Sequence, residues 1–262
     1  MFLTSRIMHV ASPDRFLLLF AGAVWAGVQN QLAGGGSFIT LPALMWTGMD
    51  ARAANITSTV ALFPGQLVGG WLGRRDASGT DQVSLRTLTG ISLVGGGIGA
   101  ILLLWTPSSL FGKMVPWLVL FATAAFAWGS FRRKPPHVDA GPHRLGPRWV
   151  KAIQFVIAVY GGYFGGGIGF LMLASLALSR VPVRAVAATK NVLAGVMNAT
   201  AVVVFLFSAE VHWLAMAVAC VGALSGSWLG AHLLRRVPER ALRVLVIAIG
   251  IALTIALFRG SL

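Results

Sequence analysis

The chain alternates between long apolar runs and short polar breaks. Ten apolar segments fall into two sets of five. The first set covers Phe16–Gln31, Ser37–Met49, Ile56–Leu72, Leu85–Trp105 and Phe111–Phe131. The second covers Val150–Tyr163, Gly169–Leu178, Val192–Phe207, Trp213–Leu234 and Ala241–Phe258. Their apolar character is continuous rather than alternating, which predicts membrane helices and argues against a β-barrel. The first two segments of each set are short. At about 1.5 Å per residue they cover only part of a roughly 30 Å hydrocarbon core. A glycine run separates the members of each short pair, and glycine lets the chain turn without a Cβ clash. Each pair is therefore a broken hairpin or two short crossings, and either returns the chain to its starting side.

The glycine runs are duplicated. Gly34-Gly35-Gly36 is followed by Ala51-Arg52-Ala53-Ala54-Asn55-Ile56-Thr57-Ser58-Thr59, and Gly165-Gly166-Gly167 by Val183-Arg184-Ala185-Val186-Ala187-Ala188-Thr189-Lys190-Asn191. The glycines lie 131 residues apart and the Arg and Thr positions 132 apart. Glycine-broken segments at matching places in two halves point to a transporter's binding site. The expected organisation is an N-terminal repeat (1–131), a basic linker (132–149) and a C-terminal repeat (150–262). Each repeat has a glycine-broken short pair followed by three transmembrane helices.

Composition supports a polytopic membrane protein. The chain is 56% hydrophobic and 11% charged, where a soluble domain has roughly 25% charged residues. The net charge of +14 would suggest nucleic acid in a soluble protein. Here the charges lie mostly between apolar segments and read as orientation signals. The linker and its border carry Arg132, Arg133, Lys134, Arg144, Arg148 and Lys151, which predicts a cytoplasmic location. Counting crossings from it puts Arg74-Arg75, Arg180–Lys190 and Arg235-Arg236 inside, and 106–110 and Glu210 outside. Each half then has an odd number of crossings, so the repeats are inverted. The arginines Arg6 and Arg15 oppose the outside location this gives the N-terminus. Residues 1–15 show no convincing signal-peptide cleavage site. The single cysteine, Cys220, excludes an intrachain disulfide and a CxxC site.

The motif has a chemistry. A helix that starts after a glycine turn exposes unpaired N–H groups and about half a positive charge. Two such ends meeting within the membrane form an anion site. Gly34–Ser37 opens one and Gly165–Gly169 the other; close helix packing is the alternative use of these glycines. Thr57, Ser58, Thr189 and Asn191 either cap helices or donate to an oxyanion. Lys190 is an anion ligand or reaches the cytoplasmic surface. Arg52 and Arg184 are electrostatic gates at opposite mouths, or anchors bonded to helix carbonyls. Gln66 and Asn198, also 132 apart, bond to each other, to half-helix carbonyls or to substrate. Gln29, Asn30, Gln31, Tyr160 and Tyr163 crowd the glycine runs and are candidates to line a polar cavity. All seven carboxylates fall in predicted loops or termini, so no intramembrane acid offers a cation site or a proton relay. His232 is the one buried relay candidate. No enzyme motif, metal-ligand spacing or cofactor signature is present.

The repeated Gly34-Gly35-Gly36, Leu41-Pro42, Ala51-Arg52-Ala53 and Thr57-Ser58, echoed by Gly165-Gly166-Gly167 and Ala185–Thr189, resemble the TauE/SafE family of sulfite exporters and sulfonate permeases. The resemblance spans essentially the whole chain. It implies a multi-pass transporter of the bacterial inner membrane, handling a small anion such as sulfite or sulfoacetate, by export. An anion channel of the same architecture and a non-transporting scaffold subunit are the rival readings. No cofactor is expected, and the sequence leaves oligomeric state open.

Overall fold

The computed structural model describes residues 13–32, 34–131, 146–179, 181, 183–233 and 239–260. Its described residues form ten α-helices: α1 (Pro13–Leu32), α2 (Ser37–Trp46), α3 (Ala51–Gly73), α4 (Leu85–Trp105), α5 (Ser108–Phe131), α6 (Pro147–Tyr163), α7 (Ile168–Leu178), α8 (Val183–Leu206), α9 (Trp213–Leu233) and α10 (Glu239–Phe258). Four of them contain spans long and apolar enough to cross a bilayer: Leu85–Trp105, Ser108–Trp128, Ala185–Leu206 and Trp213–Gly230. The protein is an all-helical, multi-pass membrane protein. The basic segment 132–145 and Arg180 lie outside the described residues.

Helix boundaries follow the apolar segments except where buried polar residues extend them. Hydropathy places the start of the third segment at Ile56, yet α3 begins at Ala51. Asp50 caps it, accepting from the N–H groups of Arg52 and Ala53, which satisfies two otherwise orphan donors. Asn55, Thr57, Ser58 and Thr59 are buried against protein. A helix facing protein keeps polar residues that a lipid-facing helix could not. The same holds in α8, whose helical start at Val183 precedes the expected Val192.

The two halves interleave. α1 packs most extensively on α9, and α6 on α4, so the first helix of each half rests on the fourth of the other. α3 and α8 touch along the middle, and each also packs on the fourth helix of the opposite half. Glycines permit these approaches: a Cβ on Gly27 would lie 2.1 Å from the Ala223 carbonyl oxygen, and one on Gly99 2.1 Å from that of Val159. The core gathers Phe38, Leu41, Ile56, Phe111, Phe164 and Phe205 between these helices. Large apolar side chains cover the outside, with exposed tryptophans at or near helix ends: Trp46, Trp71, Trp105, Trp149 and Trp213. Tryptophan favours the boundary between hydrocarbon and headgroups.

Candidate functional site

Both glycine turns depend on backbone geometry that L side chains rarely adopt. φ is +84° at Gly34, +81° at Gly35, +74° at Gly165 and +76° at Gly167. These values break α1 from α2 and α6 from α7. The two turns then meet: a Cβ on Gly34 would lie 3.6 Å from the Gly169 Cα. Phe38 of α2 wedges against the second turn, 3.0 Å from a Cβ built on Gly166 and 3.4 Å from one on Gly167.

Beside this meeting point lies a small cavity of about 50 Å³. That is room for about three to five water-sized spheres at roughly 10–15 Å³ each. Its lining comes from both turns and both central helices: Asn30, Gly34, Gly35 and Ser37; Gly165, Ile168 and Gly169; Gly65, Gln66 and Gly69 of α3; Lys190, Asn191 and Ala194 of α8. No carboxylate is among the described lining residues. Lys190 is buried, at 7% exposure, and it brings the positive charge. Buried ammonium groups require a compensating anion or dense hydrogen bonding. Among the described residues no ion pair or hydrogen bond engages its side chain; the ion pair described joins Arg52 to Glu210.

The remaining candidates divide by use. Gly36 caps α2, and its N–H donates to Asn30 Oδ1 at 2.8 Å. Ser58 shares a 2.5 Å hydrogen bond with Thr40. Thr57 accepts from the His212 N–H at 3.2 Å, tying α3 to the α8–α9 loop. Thr189 accepts from the Ser78 N–H and donates to the Ser78 carbonyl, both at 3.0 Å, tying α8 to the α3–α4 loop. Asn198 Nδ2 donates to Gln66 Oε1, so the two equivalent amides bond to each other. Gly166 and Gly167 pack against aromatic rings and Ala122. Arg52 donates to both Glu210 oxygens and to the Leu104 (3.3 Å) and Thr106 (2.6 Å) carbonyls. Arg184 is the second residue of α8; its side chain and that of His232 lie outside the described residues.

Ile168 and Gly169 fall in the Gly165–Gly169 opening, and the lining residues outside the sequence candidates are Gly65, Gly69 and Ala194. Their signal in sequence is faint. Gly65 and Gly69 are four apart and so share a helix face, and Ala194 lies four beyond Lys190. A larger cleft of about 660 Å³ runs between α1, α2 and α10. Its lining is mainly apolar, including Leu18, Trp25, Ile39, Ile249 and Leu253, with Arg15 and Thr47 as its polar side chains.

Comparison with known proteins agrees with this architecture. Three relatives align over nearly the full length. A "Probable membrane transporter protein" of Haemophilus influenzae is 26% identical, covering 92% of this chain and 93% of its own. "Probable membrane transporter protein YfcA" of Escherichia coli K12 is 24% identical, covering 98% and 95%. "Probable membrane transporter protein ORF9" of Sinorhizobium is 29% identical, covering 91% and 90%. Residues 19–257 match the family described as "Sulfite exporter TauE/SafE", and the chain belongs to that family.

Proposed function

We propose that the protein is a secondary carrier that exports a small sulfur oxyanion or organosulfonate across the bacterial inner membrane. The observation that carries this reading is the Lys190 cavity. It joins one buried cation to two glycine turns and the amides of Gln66 and Asn191, with no acid among its described lining. Its volume suits a compact anionic head rather than an enclosed organic tail. Gly35 and Ser37 line it, and their N–H groups have no acceptor among the described residues. Such groups bind anions well at the start of a helix. Outward movement of one negative charge against an inside-negative potential is favourable by about 2.3 kcal/mol per 100 mV, so export requires no cation site.

Alternating access follows from two inverted repeats rocking against each other. The reciprocal packing of α1 on α9 and α6 on α4 supports that relation. With the basic linker cytoplasmic, the cavity lies in the inner half of α3 and α8. Across the outer half, Arg52–Glu210, Thr57–His212 and Asn55–Tyr163 hold the helices together. This arrangement is a closed outer gate, with Arg52 as its latch. The decisive experiment is purified protein in liposomes loaded with sulfite or sulfoacetate. Saturable, counter-transport-competent efflux supports a carrier. A current that rises with voltage and does not saturate establishes the channel reading instead. Absence of any anion flux overturns both.

A further inference from the structure

The two glycine turns differ in what stands behind them. Gln29 and Asn30 precede the first; at the same spacing, Tyr160 and Gly161 precede the second. Gln29 is buried, and its Nε2 donates to the carbonyl oxygens of Gly34 at 3.5 Å and Gly35 at 3.2 Å. Asn30 does the reverse, its Oδ1 accepting the Gly36 N–H at 2.8 Å. The partners dictate both amide orientations, because a carbonyl oxygen requires a donor and an N–H requires an acceptor. The oxygen of Asn30 is thus committed to the backbone. Its remaining polar group is the Nδ2 amide, a donor only, and Asn30 lines the Lys190 cavity.

We infer that Asn30 selects the sign of the bound solute: the Gly36 N–H holds its oxygen, and its amide N–H₂ is presented to the anion. This rests on the anion-carrier reading above. Gly36 is part of the device. Its φ of −55° is an ordinary helical value that any residue adopts. A Cβ there, however, would stand 2.8 Å from Asn30 Cγ and 2.6 Å from the Ala26 carbonyl oxygen. Glycine is needed at 36 to seat the Asn30 amide, and not for its backbone freedom. The carbonyls of Gly34 and Gly35 are drawn toward Gln29, which keeps two partial negative charges engaged by a donor. Together the two amides let the first turn offer donors to a solute. The second turn has no amide at the corresponding places.

The test separates cap from ligand. Asn30→Asp keeps an oxygen for the Gly36 N–H and replaces the donor with a carboxylate oxygen. Thermal shift of the full-length protein in detergent, with sulfite and with methanesulfonate as probes, reads the affinity. The expected result is a melting temperature without anion no lower than that of the wild type, since the new carboxylate lines the cavity of the buried Lys190, and a loss of about tenfold or more in anion affinity, as for a charge-assisted hydrogen bond turned repulsive. If Asn30→Asp does not fold, Asn30→Ala removes the amide donor without adding charge, with an expected loss of about threefold or more. Wild-type affinity in either folded variant overturns the role of Asn30 and leaves the carrier standing. If the wild type binds neither probe, the anion-carrier reading itself fails.

Discussion

Positions 58–62 of α3 and 190–194 of α8 occupy equivalent places in the two halves, yet they end in opposite environments. In α3 the sequence Ser58, Thr59 and Leu62 is fully packed, with Ser58 bonded to Thr40 and Leu62 at 2% exposure. In α8 the matching Lys190, Asn191 and Ala194 line a cavity. The opposite helix differs in the same sense. Gly65 and Gly69 of α3 face the cavity, while their counterparts Met197 and Ala201 of α8 are completely buried. Matching sequence positions therefore differ in outcome, and side-chain volume left space at one of them. A methionine and a leucine fill what two glycines and an alanine leave empty. The pairing Thr57–His212 against Thr189–Ser78 shows the reverse case. There both copies kept the same task, each holding the loop of the opposite half.

This contrast can be broken most severely by making the cavity resemble its packed counterpart. Ala194→Leu copies Leu62 and should fill the space, abolishing anion binding; isothermal titration with sulfite on the folded variant measures it. Overpacking is expected to cost about 1–3 kcal/mol of stability, so the protein should still fold. Next, Lys190→Ala should lower anion affinity about ten- to hundredfold, the range for losing a charge-assisted hydrogen bond. Ser58→Ala, at the equivalent position, should leave affinity unchanged. Equal effects of the two substitutions in the same titration would remove the distinction between the halves.

The proposed Arg52 latch offers a third test. Arg52→Ala strands Glu210 and the Leu104 and Thr106 carbonyls, with an expected stability loss of about 1–3 kcal/mol by denaturation. It should also raise the labelling rate of a cysteine introduced at Thr57 in a Cys220→Ser background. Unchanged labelling argues against a gate there. The smallest effect should come from Thr57→Val and Thr189→Val. Each removes loop tethers worth about 1 kcal/mol per hydrogen bond, visible as a lower melting temperature with anion affinity preserved. A changed affinity in either would return that hydroxyl to the binding site.

The ten helices were legible because lipid-facing surfaces demand continuous apolar sequence. Their starts at α3 and α8 were not, since hydropathy cannot tell polar residues buried in protein from polar residues in water. The turns at Gly34–Gly35 and Gly165–Gly167 were legible because positive φ favours glycine so strongly. Thr57, Thr189 and Ser58 look the same in sequence whether they meet a ligand or a loop. Their partners, His212, Ser78 and Thr40, lie between 18 and 155 residues away in the chain. Asn30 stood out only as an amide near a turn, because nothing local indicates which of its two ends is free.

By itself, the sequence determined the membrane-helical class, the duplication, the places where the chain must turn and the lack of acids within apolar segments. These are local matters of hydropathy, backbone sterics and charge. The tertiary structure decided which duplicated copy became a cavity, which hydroxyls became tethers, and that Arg52 meets Glu210 across the halves. Those outcomes depend on the volumes and hydrogen-bonding partners that distant helices bring together, and no single segment carries that information.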